Sequence, residues 1–172
     1  MKIDSLFDVS QEIVLITGSS GQLGGEYVKI FLERGANVIG LDVRPSTDSD
    51  SLSARYPERY LFCASDVTVK ASLQMALIKI TSKFGTPTVL INNAAIDSPP
   101  SAPPEETGPF EDYPEASWDK VIDVNLKGVH LCCQVFGAAM AKASKGSIVN
   151  ISSIYGVVSP DQNLYAYRRN RG

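Results

Sequence analysis

Short runs of apolar, mostly β-branched residues alternate with longer segments of helical periodicity along this chain. The runs are Ile13–Thr17, Asn37–Asp42, Tyr60–Ala64, Thr88–Asn92 and Ser147–Ser152. Strands that are apolar on both faces are typical of a parallel sheet covered by helices on each side. The alternation therefore predicts an α/β fold, a doubly wound parallel sheet whose right-handed crossovers place helices on both faces.

The segments between the strands carry apolar residues at helical spacing. Gly35 is predicted to end the first helix, a weak helix is expected near 52–56, and Thr68 is predicted to cap the next one. Ser117 is predicted to cap a long helix that reaches about Lys142. The stripes expected to face the sheet are Leu23, Tyr27, Ile30 and Phe31; Val69, Leu73, Ala76, Leu77, Ile80 and Phe84; and Trp118, Ile122, Asn125, Val129, Cys132 and Phe136.

The composition of the 172-residue chain is that of one ordinary globular domain. Hydrophobic residues make up 44% and charged residues 20%, which excludes disordered and fibrous classes. The net charge of −3 offers no general field for a nucleic-acid backbone. The charged first twelve residues lack the core of a secretory signal, and Ile13–Ile16 is far shorter than the ~20 residues that span a bilayer. The sequence thus predicts a cytoplasmic protein without nucleic-acid or membrane partners.

The three cysteines and the single histidine form no metal-ligand pattern. Cys63, Cys132 and Cys133 contain no Cys-x-x-Cys pair, and His130 has no second histidine with which to build a metal site or a catalytic triad. We therefore expect reduced thiols and no metal.

A proline-rich segment over residues 97–115 interrupts the alternation. A loop of this length inside a compact domain is usually functional, and this one follows the fourth strand. Because open α/β sheets bind ligands at the carboxyl ends of their strands, the segment is expected to border a binding site.

The first strand runs into a glycine-rich turn, Thr17 to Gly24, that opens the first helix. Glycines there permit a tight turn, let the backbone approach a pyrophosphate, and let the helix sit against the strand. The free N–H groups of the helix start then face the phosphate. The turn predicts a dinucleotide-binding domain of Rossmann type spanning residues 1–172. A plain turn is the alternative when the glycines are considered alone. The expected contacts are Gly18, Ser20, Gly21, Gln22, Leu23 and Gly24.

Asp42 ends the second strand, twenty-four positions after Gly18. This spacing is close to that of the acid that binds the adenosine ribose in such domains. A carboxylate there accepts the ribose hydroxyls and repels a 2′-phosphate, so NAD is favoured over NADP as the cofactor. Arg44 is the one nearby cation that would act in the opposite direction. A surface acid without a ligand is the alternative for Asp42.

Together with the turn, four later segments resemble the short-chain dehydrogenase/reductase family over about residues 9–155. Asp66-Val67 resembles the pair that contacts the adenine, and Asn92-Asn93-Ala94-Ala95 the segment beside the adenosine. Asn125 matches the helix asparagine of the family's proton relay, and Asn150-Ile151-Ser152-Ser153 the strand that ends in the catalytic serine. The resemblance implies that Asp66, Val67, Asn93, Ala94 and Ala95 bind the cofactor and that Ser153 and Asn125 are catalytic.

Asn125 also stands out without the resemblance, because an amide within an apolar helix stripe is costly unless it is hydrogen-bonded. The alternative for Asn125 is a core asparagine whose hydrogen bonds are satisfied, or an asparagine at a helix bend. Ordinary strand-end hydroxyls are the alternative for Ser152 and Ser153.

The chain departs from the family pattern in two places. The glycines read Gly18, Gly21 and Gly24, a spacing commoner in the extended branch of sugar-nucleotide epimerases and dehydratases. The family's Tyr-x-x-x-Lys is also missing, since Tyr165 is followed four positions on by Arg169. An arginine does not replace the ammonium group of that lysine.

Tyr165 lies twelve residues after Ser153, near the family spacing, and is the candidate third catalytic residue. The polar loop or tail over residues 156–172 lacks an apolar stripe. The favoured interpretation is that the sequence ends inside an insertion, with the fold incomplete at its C-terminus and the tyrosine and lysine beyond Gly172. A native Tyr–Arg variant is the alternative.

The resemblance implies hydride transfer between nicotinamide and a secondary alcohol or ketone. By itself this chain is expected to be inactive and to bind NAD weakly. The full-length form is expected to be a homodimer or homotetramer. Two alternatives remain open at this point, an extended-branch sugar-nucleotide epimerase or dehydratase and a non-catalytic NAD-binding protein.

Overall fold

A five-stranded parallel sheet forms the centre of the molecule. The computed structural model describes residues 7–97, 102–159 and 161. The strands are β1 (Ile13–Thr17), β2 (Asn37–Asp42), β3 (Tyr60–Ala64), β4 (Val89–Asn92) and β5 (Ser147–Asn150). Their order in the sheet is β3-β2-β1-β4-β5, and every neighbouring pair is parallel. The predicted doubly wound sheet is therefore confirmed.

Helices connect the strands and cover both faces of the sheet. They are α1 (Gln22–Glu33), α2 (Ser49–Arg55), α3 (Lys70–Phe84) and the short α4 (Pro104–Thr107). A continuous helical segment over residues 115–142 follows, here called α5. Its α-helical parts are Glu115–Ile122, Gly128–Cys132 and Ala138–Lys142, and wide π-helical turns at Asp123–Lys127 and Cys133–Gly137 join them. Single 3₁₀ turns lie at Phe110–Asp112 and Ile154–Gly156.

Two apolar cores lie on opposite faces of the sheet because the side chains of each strand alternate. Leu15 packs with residues of α3 and α5, including Leu73 and Phe136. Its neighbours Val14 and Ile16 point the other way, against α1 residues such as Val28 and Leu32. Both cores run through the central strands, which explains why the strands read as continuous apolar runs in the sequence.

The buried face of α1 agrees only in part with the predicted stripe, of which Tyr27 and Phe31 pack against the core. Leu23 and Ile30 are 56% and 47% exposed, whereas Gly24, Val28 and Leu32 are buried. The reason is that Gly24 packs directly against the backbone of Gly18 and Ser19, which turns this face of the helix toward the sheet.

Neither predicted helix cap is formed. The Thr68 hydroxyl donates to Asp66 Oδ1 at 2.7 Å, and α3 begins at Lys70. The Ser117 hydroxyl donates to Glu106 Oε1 at 2.7 Å, and α5 begins at Glu115, directly after Pro114. Pro114 is the N-cap of α5 and has an extended backbone, so the helix begins at the next residue without a side-chain cap. The segment predicted as a loop over residues 97–115 also contains α4, whose first residue is Pro104.

The π-helical turns alter which face of α5 is buried. Trp118 is 56% exposed although it was expected to face the sheet, whereas Cys132 and Phe136 are buried as predicted. A π-helical turn adds a residue to the turn, so the stripe before it no longer lines up with the stripe after it. A single 3.6-residue period therefore cannot describe all of α5.

None of the helices in the described part of the chain is both long and apolar enough to cross a membrane. The same residues contain no cluster of histidine, cysteine, aspartate and glutamate suited to holding a metal ion.

Glu12 links three segments at the amino end of the sheet, and its carboxylate is expected to make stability depend on pH. The Thr88 hydroxyl donates to Glu12 Oε2, and Lys145 Nζ lies 3.1 Å from Oε1. The hydrogen bond from Thr88 is the main reason why the pKa of Glu12 lies below its usual value of 4.5. Since the folded pKa is the lower one, the stabilisation is fully present above the unfolded pKa and is lost as pH falls through the folded pKa.

We expect Glu12→Gln to lower the free energy of unfolding by about 1 kcal/mol at pH 7 and to have little effect once the carboxylate is protonated in both states. Urea denaturation of both proteins between pH 7 and pH 3 measures this difference. A difference that stays constant across the range would contradict the assignment. Thr88→Val removes the main cause of the low pKa and should therefore reduce the pH dependence, in addition to a pH-independent loss from the Ile13 N–H that Thr88 Oγ1 accepts.

Candidate functional site

The carboxyl ends of β1 and β4 meet where the strand order reverses. Chain order runs from β1 outward to β2 and β3 on one side, and continues with β4 and β5 on the other. Loops that leave the sheet in opposite directions open a crevice at this point, and open α/β sheets bind ligands there. The glycine turn follows β1 and the segment from Asn93 follows β4, so both flank the crevice.

Two of the three glycines in the turn are required by the protein's own packing. Gly18 has φ +66°, and a Cβ there would lie 2.7 Å from Ala94 Cα. A Cβ on Gly24 would lie 2.1 Å from the Gly18 carbonyl oxygen, so α1 rests directly on the turn. These contacts bring the start of α1 to the edge of the crevice.

Gly21 is different, because the chain itself does not require a glycine there. Its φ of −77° and ψ of 171° suit any residue. A Cβ would meet only the Gly18 carbonyl oxygen, at an ordinary 3.4 Å. Gly21 is also the N-cap of α1, and within the described residues that helix start has neither a side-chain cap nor an acid in its first turn. The first N–H groups of α1 are therefore open to an anion, with free space beside them.

Thr17 connects β1 to the loop after β4, a role that the sequence analysis missed. Its Oγ1 accepts the backbone N–H groups of both Asn93 and Ala94, each at 3.0 Å. The Asn93 amide nitrogen donates in return to the carbonyl oxygens of Thr17 (3.1 Å) and Gly18 (3.3 Å). The glycine turn and the predicted segment Asn93 to Ala95 are thus joined as one unit. The signal that could have revealed this role is the hydroxyl group of Thr17 at the end of an otherwise apolar strand.

Asp42 ends β2, as predicted, and lies beside the glycine turn. Its Oδ2 accepts the Ser20 N–H at 3.0 Å and its Oδ1 accepts the Val43 N–H at 2.7 Å. The Ser20 hydroxyl donates to the Arg44 carbonyl oxygen at 2.6 Å. These bonds hold the carboxylate next to the turn, and Gln22 and Leu23 stay exposed at the helix start.

Asp66 and Val67 follow β3 at the same edge of the sheet. Asp66 Oδ1 accepts the Thr68 N–H at 2.8 Å, so its carboxylate orders the loop. Val67 is 8% exposed and packs on α5, where a Cβ on Gly128 would lie 2.8 Å from Val67 Cγ2. The Val67 side chain therefore belongs to the core.

Asn125 lies in the first π-helical turn of α5, and both polar atoms of its side chain are hydrogen-bonded. Its Oδ1 accepts the Ile96 N–H and its Nδ2 donates to the Ile96 carbonyl oxygen, both at 2.9 Å. The amide therefore ties α5 to the loop directly after Ala95. Asn125 is half-buried, and these bonds satisfy the amide that stands out within the apolar stripe.

Ser153 lies beyond the end of β5 and is exposed. Its Oγ accepts the Tyr155 N–H at 3.2 Å, which leaves the hydroxyl proton free to donate. The preceding strand is aligned by Asn92, whose Nδ2 donates to Asn150 Oδ1 at 2.8 Å and to Cys133 Sγ at 3.4 Å. Among the described residues, no hydrogen bond joins Ser153 to Asn125. Tyr165 lies outside the residues that the structure describes.

Two of the three cysteines, Cys63 and Cys132, are buried. Burial raises the pKa of Cys132 to about 12 and also raises the pKa of Cys63. A thiol with a raised pKa is protonated at neutral pH and behaves as a small apolar side chain.

Comparison with known proteins identifies the family. The family model described as short chain dehydrogenase matches residues 12–167. The chain belongs to the short-chain dehydrogenase family. The match includes β1 and its glycine turn and continues past β5, so it spans the crevice described above.

The chain is similar in sequence to two named dehydrogenases. The chain is 29% identical over 161 residues to an NAD-dependent glycerol dehydrogenase of Listeria innocua. This alignment covers 94% of this chain and 60% of the relative. It is 31% identical over 150 residues to the cis-4-hydroxycyclohexanecarboxylate dehydrogenase of Sinomonas cyclohexanicum. This second alignment covers 87% of this chain and 57% of the relative. The chain thus spans less than two thirds of the length of these relatives.

A crystal structure of a short-chain dehydrogenase from Streptomyces avermitilis has the same fold. The two structures align with a TM-score of 0.76 at 26% sequence identity, over 92% of this chain and 56% of the other. The predicted family membership and fold class are therefore both confirmed.

Proposed function

We propose that the crevice at the β1–β4 edge binds NAD and that the chain carries the cofactor-binding part of an oxidoreductase acting on a secondary alcohol or ketone. The space at Gly21 carries this proposal. The backbone there suits any residue, yet the side-chain volume is left open beside the uncapped start of α1. A phosphate is the group that such an arrangement accommodates best.

The residues around the crevice fit the parts of a dinucleotide. The N–H groups of Gln22, Leu23 and Gly24 would receive the pyrophosphate. The Asp42 carboxylate, held by Ser20 and Val43, would accept the ribose hydroxyls. Its negative charge supports NAD rather than NADP. Asp66, the backbone of Val67, and the segment Asn93 to Ala95 would border the adenosine.

When bound, the nicotinamide supplies or accepts the hydride. Ser153 is the group proposed to contact the substrate oxygen, since its hydroxyl proton is free to donate while Tyr155 N–H occupies an acceptor site. Asn125 is proposed to act through the loop that it holds at Ile96. Tyr165 stays a prediction, as does assembly into dimers or tetramers. The names of the relatives, one of them NAD-dependent, support the proposed reaction class.

Nucleotide binding tests the proposal directly. We expect 5′-AMP and NAD to shift the amide NMR signals of the glycine turn in the 172-residue chain. Gly21→Ala places a methyl group in the space for the phosphate and should weaken binding of both at least tenfold, which corresponds to ~1.4 kcal/mol. The stability of this variant should be nearly unchanged, because the new Cβ meets no tight contact.

Gly25→Ala is the matched control, since a Cβ there makes only an ordinary 3.8 Å contact with the Ser19 carbonyl oxygen. It should leave 5′-AMP binding within about twofold of the wild type. If the two ligands left the glycine turn unperturbed, or if Gly21→Ala bound them as well as the wild type does, the proposed site would be wrong.

A further inference from the structure

A groove runs between α1 and the segment before and within α2, and an ion pair crosses it. The upper part of the groove is a cleft of about 230 Å³ that includes Ser20, Lys29 and Asp48 in its lining. The lower part, about 340 Å³, shares Lys29 and Asp48 as lining residues. Lys29 Nζ lies 3.2 Å from Asp48 Oδ2, so this pair forms the wall between the two parts.

The upper cleft lies directly beside the proposed ribose site. Ser20 belongs to both, because its N–H donates to Asp42 Oδ2 while its side chain lines the cleft. Ser46 and Thr47 add hydroxyl groups to the lining. Ser19 is 5% exposed, lines the same cleft, and its buried Oγ has no hydrogen-bond partner. A group attached to the 2′-oxygen of a ribose at Asp42 would lie beside Ser20, at the edge of this cleft.

Hydroxyl groups and an ammonium group are the donors that bind a phosphate, but here the ammonium is already occupied. Lys29 is the one cation among the described residues that line the upper cleft. Its Nζ also lies 3.3 Å from Glu26 Oε1, so two carboxylates share one positive charge. The hydrogen bond to Asp48 is the main reason why the pKa of Lys29 lies above its usual value. The cleft therefore presents excess negative charge to an incoming phosphate.

We propose that Asp48 is a second determinant of cofactor specificity, which acts by holding Lys29 away from a 2′-phosphate and so favours NAD over NADP. The inference rests on the proposed function, since it assumes that a nucleotide occupies the neighbouring site. It extends that function to a residue six positions beyond Asp42, in a cleft that Asp42 does not line.

The experiment compares the binding of 5′-AMP and 2′,5′-ADP, which differ only in the 2′-phosphate. Asp48→Asn keeps the size of the side chain and releases Lys29. We expect it to raise the affinity for 2′,5′-ADP relative to 5′-AMP by about five- to tenfold at low ionic strength, and by less at high salt. NMR titration of the wild-type and variant chains measures the ratio, and circular dichroism confirms that each variant is folded.

Two further variants separate release of Lys29 from a simple change in net charge. Glu26→Gln removes the same charge from the cleft but leaves the pair across the groove intact, so it should change the ratio much less. Adding Lys29→Met to Asp48→Asn should cancel the gain. The proposal is overturned if Glu26→Gln has the same effect as Asp48→Asn, or if the double variant keeps the gain.

Binding of 5′-AMP to the wild type distinguishes failure of the proposed nucleotide site from failure of the proposed role of Asp48. If 5′-AMP binds at the glycine turn and Asp48→Asn leaves the ratio unchanged, the role of Asp48 is wrong while the nucleotide site stands. If 5′-AMP fails to bind to the wild type, the proposed function fails and the role of Asp48 fails with it.

Discussion

Gly24→Ala is expected to lower the free energy of unfolding by about 3 kcal/mol or more, the largest effect predicted for this chain. A Cβ at this position would lie 2.1 Å from the Gly18 carbonyl oxygen, 2.8 Å from the Gly18 carbonyl carbon and 2.9 Å from Ser19 Cα. All three are backbone atoms, so no side-chain rotation relieves the overlap. Either α1 moves off the sheet or the turn changes shape, and both outcomes disturb the packing of Val28 and Leu32.

Gly25→Ala provides a control one residue away in the same helix. Its new Cβ would make only a 3.8 Å contact, so the higher helix propensity of alanine should dominate. Replacing glycine by alanine inside a helix stabilises by up to about 1 kcal/mol. Urea denaturation followed by circular dichroism should therefore show opposite signs for two adjacent glycines. Equal effects at both positions would mean that α1 does not rest on the turn as described.

Thr17→Val is the second substitution with a large expected effect. Valine has nearly the shape of threonine but lacks the oxygen that accepts the N–H groups of Asn93 and Ala94. Thr17 is 1% exposed, so water does not easily replace that oxygen. Leaving two N–H groups without an acceptor should lower the free energy of unfolding by about 2–3 kcal/mol. It should also weaken 5′-AMP binding, because the loop after β4 would no longer be fixed to the glycine turn.

Thr17→Ser keeps the oxygen and removes only the methyl group, so it should cost about 1 kcal/mol and leave 5′-AMP binding almost unchanged. Chemical denaturation and the nucleotide titration described above measure both variants. If serine and valine were equally destabilising, the methyl group would be responsible and the bridging role of the hydroxyl would be wrong.

The sheet could be predicted closely because its signals are local. Four of the five strands were located to within one residue at each end, since buried parallel strands are apolar at nearly every position. The fifth, predicted over Ser147–Ser152, ends at Asn150. The glycine turn was equally visible, because Gly18 and Gly24 occupy positions where the backbone leaves no room for a side chain.

The buried face of α3 was predicted, since Leu73, Ala76 and Ile80 are buried, whereas the faces of α1 and α5 depend on long-range packing. Leu23 and Ile30 fit a helical stripe, but contact between Gly24 and Gly18 selects a different face of α1. The π-helical turns of α5 similarly break the single period that placed Trp118 in the core. Caps at Thr68 and Ser117 failed because their hydroxyls bind nearby carboxylates instead.

Within the candidate site, the sequence indicated the residues but not their partners. Asp42 and Asn125 were predicted as site residues, but only the structure shows that the N–H groups of Ser20 and Ile96 donate hydrogen bonds to them. Thr17 and Asp48 went unnoticed because a single threonine or aspartate is too common to stand out. Their importance arises from their partners in the fold. Thr17 contacts Asn93, which is far away in sequence, and Asp48 contacts Lys29 on α1.

The hydrogen bonds of Thr17 also have a consequence for how the molecule folds. They join residues 76 and 77 positions apart, whereas the bond between Ser20 and Asp42 spans only 22. Closing a longer loop costs more chain entropy, so the first strand–helix–strand unit can form before β4 arrives beside β1. The crevice is complete only after that late step. A nucleotide that needs both sides of the crevice should therefore slow unfolding and leave the rate of folding almost unchanged.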